Sequence, residues 1–145
     1  MSYARQLLDS YRRTASVDAG VLAATIDALN DCAEACTVDV DADLSEHHLL
    51  ELVKCIRLCQ DCADVCTATR NFISRQSDYD SAVTRPLLQA CIRMCKSCGD
   101  ECEQHAQRHP HCRVCLEACR RCEQACRELL AVTKGQTERY APSVS

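Results

Sequence analysis

Cys55-Ile-Arg-Leu-Cys59-Gln-Asp-Cys62-Ala-Asp-Val-Cys66 places four cysteines at steps of four, three and four. The same steps return at Cys91, Cys95, Cys98 and Cys102, and a longer run follows at Cys112, Cys115, Cys119, Cys122 and Cys126. Cys32 and Cys36 open the series, bringing the count to 15. A helix turns about 100° per residue, so each four-cysteine run covers an arc of roughly 60° and the longer run roughly 80°. These are the inward positions of a helical bundle, filled with thiols where Leu or Ile is the usual choice.

The rest of the chain agrees with helices. Its 145 residues suffice for one domain with one core. Gly and Pro number three each, against the turn-rich composition of a β fold. A formal charge of −4 implies no nucleic-acid partner, and no apolar run approaches the length of a membrane span. Met1 to Arg13 lacks the continuous apolar stretch and cleavage site of a secretory signal, so a cytoplasmic location with reduced thiols is expected. An odd cysteine count leaves one unpaired in any fully bridged monomer, and same-face helix neighbours would strain disulfide geometry.

The expected architecture is an all-α, antiparallel up-down-up-down four-helix bundle forming a single domain over residues 1–145. A short amphipathic helix at 2–14, with Tyr3, Leu7, Leu8 and Tyr11 at helical spacing, packs outside the bundle or against another subunit. The bundle occupies 16–135. Ser16 or Asp18 caps its first helix, which ends near Thr37. Asp39 to Asp43 reads as a loop, and Asp43 with Glu46 resembles a capping box for a second helix from about Leu44 to Arg75. Pro86 fits the first turn of a third helix reaching Arg108. Pro110, with His109 as its cap, opens a fourth ending near Gly135, and a mobile tail follows at 136–145. In the first helix Thr25, Leu29, Cys32 and Cys36 occupy the same four-step template as the cysteine runs.

Antiparallel order gives the column two unlike ends. One collects Cys36, Cys55, Cys102 and Cys112 with His105, His109 and His111, and with His47 and His48 nearby. The other collects Leu22, Ile26, Phe72, Ile73, Leu87, Leu88, Leu129 and Leu130. Metal would enter at the histidine end.

Fifteen inward thiols make poor sense as packing. Truncating a core leucine to alanine costs about 2–5 kcal/mol against a total stability of about 5–15 kcal/mol. Undersized residues at nearly every inward position therefore need a chemical reason. Thiolates select Cu(I), Zn(II) or iron–sulfur clusters. Structural zinc uses closed quartets, usually from separated pairs on turns, and iron–sulfur ligation uses loop-borne runs that are absent here. The CxxxCxxC spacing at 55–62 and 91–98 also occurs in radical-SAM enzymes, but there on a loop of a much larger barrel. Cu(I) fits a continuous sulfur column, because two or three thiolates satisfy each ion and neighbouring ions share bridging sulfurs. Each ion replaces a thiol proton, which suggests a capacity on the order of one ion per thiol. The alternatives are a general Zn(II) or Cd(II) buffer and a thiol redox protein cycling its CxxC pairs.

With its repeated CxxxCxxCxxxC helices from about Ala15 to Gly135, the chain resembles the bacterial copper storage proteins, specifically their cytosolic branch. No activated nucleophile or acid/base pair stands out beside the cysteines, so no enzyme is expected. The resemblance implies a store filled with multiple Cu(I) ions on the cysteines, and a homotetramer. It also implies loading at a histidine-bearing mouth, which carries over to His105, His109 and His111, with Asp61 as a carboxylate partner. A copper donor or acceptor protein is left unspecified. His47 and His48 read as solvent-facing and Met94 as packing.

Overall fold

The computed structural model describes residues 2–12, 17–77 and 79–133. A short helix α1 (Tyr3–Asp9) precedes four long ones: α2 (Ala19–Leu44), α3 (Val53–Ser74), α4 (Ser81–His105) and α5 (Pro110–Val132). Each long helix packs on two neighbours, in the ring order α2, α3, α4, α5 and back to α2. Short connections force adjacent helices to run antiparallel. The up-down-up-down bundle is therefore the observed architecture.

Helix starts follow local chemistry. The Asp18 carboxylate accepts the Val21 N–H at 2.9 Å, and Asp80 accepts the Ala82 N–H at 2.9 Å. Pro110 stands in the first turn of α5, where its missing N–H costs nothing. His109 occupies the cap position but makes no capping bond, because its ring turns to Glu46 instead. The helix α1 buries Ala4 and Leu8 against the bundle, and the Tyr11 hydroxyl donates to the Ser74 carbonyl at 2.9 Å. Ser16, Gly135 and the tail at 136–145 lie outside the described residues.

Three boundaries differ from expectation. Asp39 to Asp43 is not a loop: α2 continues through it to Leu44 with Ser45 as its cap. Asp39 and Asp43 prolong the inward stripe of Thr25, Leu29, Cys32 and Cys36 by further steps of three and four, and both are fully buried. Stripe register overrides the polar composition. For the same reason Asp43 caps nothing, and α3 begins only at Val53, after a turn and a 3₁₀ segment at Leu49–Leu52 that buries Leu52. Finally, α4 begins at Ser81, so Pro86 lies in its second turn and not its first.

Gly99 is a packing position. A Cβ there would stand 2.9 Å from the Arg120 guanidinium and 3.4 Å from the Cys119 Cβ. The missing side chain lets Arg120 reach across from α5 to Asp100 on α4 at 2.7 Å.

Candidate metal centre

Every cysteine is a free thiol with no solvent exposure. The four inward stripes meet on the bundle axis, and sulfur faces sulfur along most of its length. Near one end Cys66 stands 3.7 Å from Cys95 and 4.0 Å from Cys91 and Cys122. Next come Cys32 and Cys119 at 3.8 Å, then Cys36 and Cys115 at 3.6 Å and Cys59 and Cys98 at 3.6 Å. Cys55, Cys59 and Cys102 follow at 3.9 Å.

These spacings suit sites of three or four sulfurs. Sulfurs held around one ion by bonds of roughly 2.3 Å stand roughly 3.8 Å apart in a tetrahedron and 4.0 Å in a triangle, but about 4.6 Å apart across a linear site. Three- or four-sulfur sites therefore fit with little rearrangement. Several such groups occur, among them Cys32–Cys66–Cys95–Cys122, Cys32–Cys36–Cys62–Cys119 and Cys36–Cys98–Cys115–Cys119. They share members, so adjacent ions would be bridged by common thiolates.

The column closes at one end. Leu22, Leu29, Ile73, Leu88 and Leu129 are fully buried there with Thr25, Thr69, Thr84 and Thr133. Each threonine hydroxyl donates to a carbonyl of its own helix, for example Thr69 to Val65 at 2.7 Å and Thr84 to Asp80 at 2.8 Å. Their methyl groups are left for packing, and the end is apolar as expected.

At the opposite end α2 outruns the cysteines. Asp39 accepts from Cys59 at 3.5 Å, Cys55 at 3.8 Å and Cys102 at 3.9 Å through one oxygen, and from Cys112 at 3.6 Å through the other. That second oxygen also meets His111 Nδ1 at 2.5 Å, while His111 Nε2 meets Glu46 at 3.1 Å. Glu46 stands 3.3 Å from His109 as well, and the two imidazole rings lie 5.3 Å apart. Asp43 contacts Cys112 at 3.5 Å and His111 at 3.3 Å through Oδ1, and its Oδ2 is buried with no hydrogen-bond partner.

The electrostatics follow from burial. Desolvation pushes the Asp39 carboxyl up, only partly opposed by His111. It pushes Asp43 further, to about 8, helped by Cys55 and Asp39. Burial disfavours the His111 cation, but hydrogen bonds to Asp39 and Glu46 outweigh it and leave the imidazole raised. Glu46, outside the bundle, is lowered by His111. Cys112 is held up by its bond to Cys55, by burial and by the two aspartates, so the metal-free mouth keeps a neutral thiol.

Set against expectation, the structure joins all fifteen cysteines in one column and brings His111 and His109 to its mouth. Cys36 sits a layer deeper than expected, because α2 adds two more inward positions beyond it. His105 turns to Glu101 at 3.1 Å, and Glu101 also faces Lys54 at 3.7 Å. Asp61 is half-exposed on the outer face of α3 and pairs with Arg57 at 3.1 Å, away from the sulfurs. His47 and His48 are exposed, and Met94 packs partly buried against the core. Asp39, Asp43 and Glu46 were not expected. The signal for the first two was present in the uninterrupted 25-29-32-36-39-43 spacing.

The pattern of the copper storage protein family matches residues 19–131. The chain is similar to the copper storage protein Ccsp from Streptomyces lividans, loaded with 10 copper equivalents, at 53% identity and a TM-score of 0.87, over 89% of this chain and 98% of that one. It is similar to a cytosolic copper storage protein of the same organism bearing five coppers, at 57% identity and a TM-score of 0.76, over 77% and 93% of the two chains. The Cu(I)-bound copper storage protein BsCsp3 aligns at 33% identity and a TM-score of 0.66, over 74% and 95%. No curated protein sequence matches the chain. Among the described residues, no helix is long and apolar enough to cross a membrane.

Proposed function

The chain belongs to the copper storage protein family, and on that footing we propose that it stores multiple Cu(I) ions as thiolate clusters along its bundle axis. The observation that carries this is the overlap of the sulfur groups. Shared cysteines suit several bridged soft ions and do not suit one isolated structural zinc. Filling exchanges thiol protons for Cu(I), which keeps the low-dielectric interior near neutral and releases protons to solvent. A store and not an enzyme is the reading supported by thiols that are all fully buried.

Copper enters at the His111 end, since the other end is sealed by leucine and threonine side chains. His111 and Asp39 form the threshold, His109 lies just outside it, and His105 has a supporting place beside Glu101. Asp61 has no part in it. The likeness to a cytosolic store supports a cytoplasmic location, where the thiols stay reduced. The exposed Tyr3 and Leu7 on α1 support self-association into the tetramer that the resemblance implies.

Chelator-buffered competition between Cu(I) and Zn(II) on the reduced protein tests the metal assignment. Cu(I) should displace Zn(II) from the column completely. Retention of Zn(II) under excess buffered Cu(I) would favour a general metal buffer. Reversible disulfide formation near cytosolic potentials with little metal uptake would favour a redox protein. For the threshold, His111→Ala should slow Cu(I) uptake severalfold in stopped-flow mixing, and an unchanged rate would move the entrance elsewhere.

A further inference from the structure

Away from the column, on the outer side of α2 and α3, one arginine is held in an unusual way. Arg57, Arg120 and Arg121 each meet a carboxylate at 3.1 Å or less. Arg70 meets neutral amides instead. Its Nη1 donates to Asn30 Oδ1 at 2.8 Å, and its Nε and Nη2 donate to Asn71 Oδ1 at 3.1 and 2.7 Å. No carboxylate among the described residues pairs with it. The guanidinium is thus half-buried and fixed in direction, with its charge uncompensated. Those bonds engage Nε and one hydrogen on each Nη, which leaves a second N–H on each Nη for a ligand.

Arg70 lines an open groove of about 580 Å³ between α1, α2 and α3. Leu8 and Ile26 give the groove buried apolar surface, while Tyr3, Leu7 and Tyr11 give it exposed apolar and aromatic surface. The Tyr11 hydroxyl donates to the Ser74 carbonyl at 2.9 Å and accepts the Gln76 N–H at 3.3 Å, which ties the end of α1 to the end of α3. Cavities of this size hold small organic ligands, typically with apolar walls and a few placed polar groups.

We propose that this groove binds a small aromatic anion, a carboxylate or a phosphate ester, with its charged head on Arg70 and its ring against Tyr3, Leu7 and Tyr11. A guanidinium presents paired N–H donors to the oxygens of either head group, and the charge strengthens each bond. The aromatic walls suit a flat apolar body. The neutral partners of Arg70 are the deciding feature. Asparagine oxygens orient the guanidinium without cancelling its charge, whereas aspartate at either position would supply the counter-charge from within the protein and leave little for a ligand.

The site lies outside the sulfur column and does not depend on which metal the column holds. It is nonetheless tied to the helices of the column. Arg70 stands one turn beyond Cys66 on α3, and Asn30 stands two residues before Cys32 on α2, both cysteines belonging to one four-sulfur group. A ligand seated here bridges α1 to the two helices that carry those sulfurs.

Isothermal titration calorimetry on the reduced, metal-free full chain tests the proposal. Phenyl phosphate and benzoate are the probes for the two head groups, and at least one of them should saturate at one ligand per chain. Benzyl alcohol keeps the ring without the charge, and inorganic phosphate keeps the charge without the ring; each should bind at least tenfold more weakly. Arg70→Gln should weaken binding of the tighter probe at least tenfold. Asn71→Asp, which leaves the guanidinium in place and neutralises it, should do the same. Both variants leave every cysteine untouched, so an unchanged Cu(I) capacity shows that they fold and reads the storage function separately. Sedimentation should show the same association state with and without the probe. The proposal is overturned by the absence of saturable binding, by inorganic phosphate binding as tightly as phenyl phosphate, or by unaltered affinity in both variants. Separation of subunits on adding the probe would also overturn it, since a second copy of the chain would then be the occupant of the groove.

Discussion

At the scale of single residues, the mouth is the costly part of this protein. Asp39, Asp43 and His111 all have raised proton affinity in the folded state, and the titratable groups facing them are each other, Glu46, His109 and the thiols of Cys55, Cys59, Cys102, Cys112 and Cys115. The consequence for stability has one sign. An unfolded Asp43 releases its proton near its ordinary value of 3.8, whereas the folded one keeps it to about 8. Between those values the folded state binds more protons, so stability falls as pH rises, by at most about 1.4 kcal/mol per pH unit for one group. The contribution of His111 is complete below its unfolded value of 6.5 and is lost as pH rises through its raised folded value. Glu46 acts oppositely, but it lies at the solvent-accessible rim, where water screens its contribution. The metal-free, reduced protein should therefore show a melting temperature that declines from pH 5 to pH 8, and Asp43→Asn should flatten the decline. A melting temperature that climbs over that range would contradict the burial assigned to this cluster. The same residues mark what was hard to read in the sequence. A run of alternating aspartates is ordinarily solvated, and only its register with Cys32 and Cys36 betrays that two of them turn inward.

Among the helices, the cysteine spacing made α3, α4 and α5 legible, because thirteen sulfurs at steps of three and four leave one solution for the inward face. The start of α4 was less legible. Pro86 suggested a first turn, but the Asp80 cap and the Thr84 hydroxyl bond to the Asp80 carbonyl set the start earlier. Pro86 thus sits exposed inside a helix, where it lacks the N–H that would bond the Ala82 carbonyl. Pro86→Ala should raise the stability of the metal-free protein, by up to about 3 kcal/mol, the interior penalty of proline. Denaturant midpoints would show it, and a loss of stability would mean that the ring packs against something essential. At the sealed end Leu129 is fully buried against the other plug residues. Leu129→Ala should cost about 2–5 kcal/mol. The column above it keeps every sulfur, so copper capacity should stay unchanged while the unfolding midpoint drops.

For the molecule as a whole, the bundle is a container with one closed end and one guarded end. The closed end was readable from Leu22, Leu88 and Leu129, which are apolar and lie on the cysteine stripe. The guard was readable only in part. Three histidines clustered near one rim, but which of them faces the sulfurs depends on side-chain direction: His111 reaches Asp39, while His105 leans on Glu101. Sequence spacing does not carry that information. Because the folded bundle holds its thiols together and should bind copper more tightly than the unfolded chain, loading should raise the unfolding temperature progressively with each added equivalent. Anaerobic titration of the reduced protein with Cu(I) against a chelator of known affinity tests most directly whether the column acts as one multi-ion store. Tight uptake should continue to about one ion per thiol with concurrent proton release. Saturation at one or two ions per chain would contradict it.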